Sequence, residues 1–352
     1  MEDTTTQGAP AEGPGMTKII IWLVVLGLIV WGFVAWGGRG GATVSKEPIK
    51  IGFIGALTGD AAEYGEPQRN ALLLAVEDIN AQGGVHGAPI ALIYEDGKCN
   101  GKDGASAAQK LVNVDKVNII LGGSCSSETL AAIPIAEPAK VFILTGSATS
   151  PDLINKSKFF ARVYPNDLTQ GKVLAEASAQ RGWKKVAVMQ EQTDYASGIV
   201  KAFSTRFSEL GGRIVTEEFS TGSTVFRTSL SKLKAEKPDA LLISTQTSSS
   251  GERVLNQMKE LNWKPALMVN DVIGTSGETV EKNKGVLEGA LLADFFLDPS
   301  NPKLQRLNVA YRARYGKEIG FPNYTSAVYD SLYLVRDGLL VVGNSGDRKS
   351  VV

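Results

Sequence analysis

Two short stretches gather the side chains best able to do chemistry. The first, LGGSCSSETL at residues 121–130, sets Cys125 among Ser124, Ser126, Ser127 and Thr129. A thiol or hydroxyl in that setting can act as a nucleophile, ligate a metal, cap a helix or line a ligand pocket. The second, TGSATSP at residues 145–151, repeats the pattern: an apolar run ends in glycine, hydroxyls and proline. Catalysis by Ser126 or Cys125 would need a base, and the sole histidine, His86, sits in the turn GGVHGAP. A hydrolase elbow requires G-x-S-x-G, but GGSCS carries Ser126 where the second glycine should stand. GFIGALTG likewise misses the glycine spacing of a dinucleotide-binding turn. The sequence therefore reads as non-enzymatic. Both loops precede apolar-periodic stretches, and Ser126 or Ser127 is placed to cap the helix that follows. A helix start presents free N–H groups and suits an anion. Neither loop holds the Lys or Arg that phosphate usually recruits, so a carboxylate held by hydroxyls and amides fits better.

The second cysteine, Cys99, lies in YEDGKCNGK just after an apolar run at 89–96, as Cys125 follows one at 118–123. Both then stand at the same edge of one sheet. A disulfide suits that arrangement, since its Cα atoms need about 5.5 Å. Closing the loop would stabilise by roughly 3–4 kcal/mol, and the bridge would need an oxidising compartment. Two free buried cysteines, or a metal pair, are the other readings. With one histidine in the chain a metal has little support, and neither a metal nor a cofactor is expected.

These loops need a frame, and the pattern supplies one. IKIGFIGAL at 49–57 reads as a strand, followed by a helix over 67–84 that stops at Gly83-Gly84. PIALIYED, NIILGG and VFILTGS are further strands. After FFARVYP the alternation restarts with KKVAVMQE, RIVTEEFS, ALLIST, PALMVND and GALLADFF. Strands parted by helix-length segments make right-handed crossovers and parallel sheets. The fold class is α/β, with two doubly wound lobes: 49–164 plus 297–352, and 165–296. In such sheets ligands sit at the carboxyl ends of the strands, here facing one another across a cleft.

The bulk numbers agree. Lys plus Arg equals Asp plus Glu, 37 against 37, which gives no basis for a nucleic-acid partner. Residues 1–18 form a polar tail rich in Gly, Pro and Thr. Residues 19–36, IIIWLVVLGLIVWGFVAW, carry no charge. As a helix they would span about 27 Å, close to the roughly 30 Å of a bilayer core, with Trp22 and Trp36 near the interfaces. We read them as an uncleaved signal anchor, and 37–48 as a flexible linker to an extracytoplasmic domain.

In order along the chain, IGFIGALTGDAAEYG, AVEDINAQGGVHG, IYEDGKCNGK, GGSCSSET, LTGSATSPDL, EQTDYASG and DALLIST resemble the leucine/isoleucine/valine-binding proteins of the type I periplasmic binding fold. These are the extracytoplasmic receptors of ABC-type amino-acid importers, and the likeness runs from Ile49 to Tyr333. The resemblance implies a hinged clamp that closes on an amino acid and delivers it to permease subunits. By position, Ser126 and Thr149 would take the α-carboxylate. The Ser147 carbonyl and Thr149 hydroxyl would meet the α-ammonium, and Asp271 would supply its acidic partner. Tyr64 and Tyr195 would close over the ligand, and Cys99 and Cys125 would be joined. The chain departs from the family at Gln246 and TSSSGE, where branched-chain binders often carry a more aromatic loop. It also ends some tens of residues early, so the last part of the second lobe is expected to be truncated. A sensory ectodomain of the same fold is the alternative function.

Overall fold

The computed structural model describes residues 46–344. The expected membrane segment at 19–36, the tail before it and residues 345–352 lie outside the described residues. Among those described, no helix is long and apolar enough to cross a membrane.

Among the described residues, nine strands form two parallel sheets. In the first, β1 (Ile49–Gly55), β2 (Ile90–Asp96), β3 (Ile119–Gly122), β4 (Phe142–Thr145) and β5 (Phe160–Arg162) lie in the order β2-β1-β3-β4-β5. In the second, β6 (Lys185–Glu191), β7 (Arg213–Phe219), β8 (Ala240–Ser244) and β9 (Ala266–Val269) lie in the order β7-β6-β8-β9. Each sheet turns its winding at its first strand, so the crevices open between β1 and β3 and between β6 and β8. Helices cover both faces, which is why the inner strands are continuous apolar runs and not alternating ones. All five residues of β8, ALLIS, are buried.

Connecting helices start where the strands end. They are α1 (Ala62–Ala81), α2 (Gly101–Asn113), α3 (Ser126–Ala136), α4 (Asp167–Gln180), α5 (Asp194–Glu209), α6 (Arg227–Ala235) and α7 (Ser248–Glu260). Asn100, Asn166, Thr193 and Thr247 each accept a backbone N–H of the turn they cap. Three short helices follow β9: α8 (Asp271–Gly274), α9 (Gly277–Lys282) and α10 (Lys284–Leu287). The chain then returns to the first sheet as α11 (Pro302–Tyr315) and α12 (Pro322–Asn344). Val328, Leu332 and Val335 of α12 share a core with Ile51, Leu72 and Leu121.

Two elements differ from the sequence reading. Helix α1 begins at Ala62, not 67, with Pro67 inside it. Its first turns bury Tyr64, Gly65 and Gln68, so they carry no apolar stripe to read. Residues 289–296 make no strand but a single parallel bridge, Met268 to Leu291. Beyond it the chain is pulled away from β9: Asn323 of α12 donates to Asp294 (2.6 Å) and to the Phe295 carbonyl (2.9 Å).

Candidate functional site

The end of β3 is built around the disulfide. Cys99 and Cys125 are bonded, with Cα atoms 5.2 Å apart. Cys125, not Ser126 or Ser127, holds the cap position of α3, and Ser126 opens the helix. The cap is made by Glu128 three residues on. Its Oε2 accepts the Cys125 N–H (2.9 Å) and its Oε1 accepts the Cys99 N–H (2.7 Å). One fully buried carboxyl thus fixes the backbone on both sides of the bridge. Burial pushes its pKa up to about 7, against the opposing pull of those two N–H bonds.

The two hydroxyl-rich loops are knitted together beside it. Ser126 Oγ accepts the Ser150 N–H (3.1 Å), Ser147 Oγ donates to the Ser124 carbonyl (3.0 Å), and Thr145 Oγ1 donates to the Gly123 carbonyl (3.0 Å). Arg162 braces them from behind, donating to the carbonyls of Ala148 and Ser150 (both 3.1 Å). Thr149 is buried, and its carbonyl accepts the Asp167 N–H (3.1 Å).

The opposite wall centres on Asp271, at the start of α8. Tyr195 and Tyr324 both donate their phenolic O–H to its carboxylate, and Gln170 Nε2 adds a third bond (2.8 Å). Burial and the Asp271 charge hold both phenols well above their usual pKa, so they remain donors. Asn270 links Tyr195 (3.3 Å) to the Thr245 carbonyl (2.7 Å). Two more carboxyls lie near. Asp167 is held well above the normal range by burial and by Asp271, and the same causes push Asp294 up to about 6. This wall therefore gathers three carboxyl groups whose ionised forms a nearby cation would favour.

Between the walls is a narrow cavity of about 20 Å³, room for roughly one water and well under the roughly 300–1,000 Å³ usual for ligand sites. Tyr64, Ser126, Ser147 and Tyr195 all line it. Thr149 and Asp271 are buried behind that lining, Asp271 next to the lining residue Val272. Polar contacts seal the mouth. Tyr64 donates to the Gln246 carbonyl, Glu63 accepts the Ser248 N–H (2.8 Å) and hydroxyl, Ser127 bonds Asp194, and Arg253 reaches Asp60 (3.3 Å).

Several site residues escape the sequence reading. Gln68 could be found, since it lies one helical turn after Tyr64 and shares its face. Tyr324, Gln170 and Asp294 give no local signal; they arrive by tertiary packing alone.

Comparison with known proteins agrees with this fold. A family model described as periplasmic binding protein matches residues 48–352. The leucine-, isoleucine-, valine-, threonine-, and alanine-binding protein of Pseudomonas aeruginosa is 29% identical over 87% of this chain and 82% of its own length. Other curated relatives align over 61% of theirs. Among solved structures, a leucine binding protein from Thermotoga maritima has a TM-score of 0.76 at 27% identity, covering 86% of this chain and 85% of that one. A branched-chain amino acid transporter substrate binding protein from Streptococcus pneumoniae, in complex with isoleucine, has a TM-score of 0.71 at 28% identity, with 83% of each chain covered.

Proposed function

Because the chain belongs to the leucine/isoleucine/valine-binding group of the periplasmic binding protein family, we propose that it is an extracytoplasmic solute-binding protein of an ABC importer. Its ligand is an amino acid of the branched-chain type or a related one, and residues 19–36 tether it to the membrane. The observation that carries the reading is the pairing of the two walls. Ser126 and Ser147 line one side of the cavity, across from a wall of opposite character where Asp271 is held by Tyr195 and Tyr324.

A zwitterion suits that pairing. Its carboxylate meets neutral donors, which avoids the desolvation cost of a second buried ion. Its ammonium meets the acidic wall, and the bound pair is close to neutral. In this scheme Ser126 offers its hydroxyl and the free N–H of the first helical turn. Thr149 joins it on the carboxylate and shares the ammonium with the Ser147 carbonyl and Asp271. Tyr64 and Tyr195 cover the ligand from the two sides of the cleft.

Titration calorimetry of the purified chain with the twenty amino acids tests this. Asp271→Ala should weaken the best ligand at least ten-fold, while the exposed control Glu281→Ala should leave it unchanged. Equal effects of the two substitutions would reject the ammonium role. No binding of any amino acid would reject the ligand class.

A further inference from the structure

The cavity has a second polar feature that neither end of a zwitterion uses. Two glutamines line it, Gln68 from α1 and Gln246 from the loop after β8. Both are more than nine-tenths buried, at 1% and 6% exposure. Each has one end of its amide engaged. Gln68 Oε1 accepts from Ser124 Oγ (2.6 Å), and Gln246 Nε2 lies 3.8 Å from Cys125 Sγ. The other ends, Gln68 Nε2 and Gln246 Oε1, have no hydrogen-bond partner among the described residues. Ser124 and Cys125 are consecutive, and Tyr64 bonds the Gln246 carbonyl one turn before Gln68 on the same helix. The two amides therefore sit against consecutive residues of one loop, at one corner of the cavity they both line.

We propose that this corner is the side-chain subsite, and that it selects a neutral amino acid whose side chain carries a hydroxyl or carboxamide. The inference rests on reading the cleft as an amino-acid site and names which class it takes. A side chain with both a donor and an acceptor satisfies Gln246 Oε1 and Gln68 Nε2 together. An apolar side chain of the same shape would bury both amide ends unpaired, a mismatch that discriminates far more strongly than a lost methyl contact. The Ser124 hydroxyl can donate or accept, so either orientation of the Gln68 amide leaves one polar end facing the ligand. Charged side chains fit less well. The lining residues include no Asp, Glu, Lys or Arg to pair with them. The Glu63, Glu128 and Glu191 charges that act on Tyr64 oppose an acidic one.

Shape-matched pairs test the subsite. Calorimetric titration of the full chain compares threonine with valine and asparagine with leucine, in wild type, Gln68→Leu and Gln246→Leu. In wild type the polar member of at least one pair should bind ten-fold or more tightly than its apolar twin. In at least one of the two variants that ratio should fall toward unity, through tighter binding of the apolar twin. Valine and leucine binding wild type as tightly as threonine and asparagine would overturn the proposal while leaving the amino-acid reading standing. Silence from all four, with an amino acid other than serine or glutamine bound, would also overturn it. Silence from all twenty would remove the reading on which it rests. The wild-type ratios decide the matter even if a variant fails to fold.

Discussion

Replacing Glu128 by glutamine should flatten the chain's stability profile on the alkaline side. Glu128 is fully buried, accepts both cysteine N–H groups and titrates at about 7, against an ordinary value of 4.5. Burial dominates this shift, and the Asp96 charge adds to it. A carboxyl raised in the folded state binds its proton more tightly there than in the unfolded chain. Its stabilisation is therefore complete below about pH 4.5 and is lost as pH rises through 7. At about 1.4 kcal/mol per pH unit across that window, the loss between pH 5 and pH 8 comes to about 2.5 kcal/mol. Glu128→Gln removes the titration and leaves a pH-independent cost of about 1–3 kcal/mol, because the amide nitrogen cannot accept one of the two N–H groups. Urea unfolding of both proteins from pH 5 to pH 8, disulfide intact, gives the comparison. The raised carboxyls Asp167 and Asp294 are present in both and cancel. The variant should sit well below wild type at pH 5 and approach or pass it at pH 8. Parallel profiles would refute the reasoning.

Two further outcomes follow from the same framework. Converting Cys99 and Cys125 together to serine should cost about 3.5 kcal/mol, the loop-closure value for a separation of 26 residues; an unfolding midpoint indifferent to reductant would contradict it. Gly171→Ala should destabilise by about 1–3 kcal/mol. The added Cβ would lie 2.6 Å from Ala202 Cβ and Phe203 N and 2.7 Å from Ile199 O, where α4 crosses α5 and backbone cannot yield. An unchanged melting temperature would count against that packing argument.

The alternation of apolar runs is enough to read every strand up to β9 except the three-residue β5, because both faces of each sheet are covered. Cys99 and Cys125 could be placed at one sheet edge because each follows a strand directly. The seating of α3 was also within reach, since C-S-S-E has the spacing of a capping box, but cysteine is not a usual cap and the role of Glu128 went unread. The strand expected at 289–296 failed because tertiary pull from Asn323 overrides the local pattern. Tyr324 meets Asp271 across 53 positions and Gln170 meets it across 101. No local periodicity encodes such meetings, and a tyrosine or glutamine bound for a buried carboxylate looks like one bound for solvent.

The seam between the two halves of the cleft has the anatomy of a transient protein–protein interface. Its rim is polar, with Asp60 against Arg253 and Ser127 against Asp194, and its centre is aromatic, with Tyr64, Tyr195 and Tyr324. Where such interfaces concentrate their binding energy, in a packed and dry middle, this one has a hollow. A solute filling that hollow acts as the missing hot spot, bonding to both partners at once. Under the proposed function, association of the halves would depend on occupancy, so the protein's outline itself would report to a membrane partner whether there is cargo to deliver.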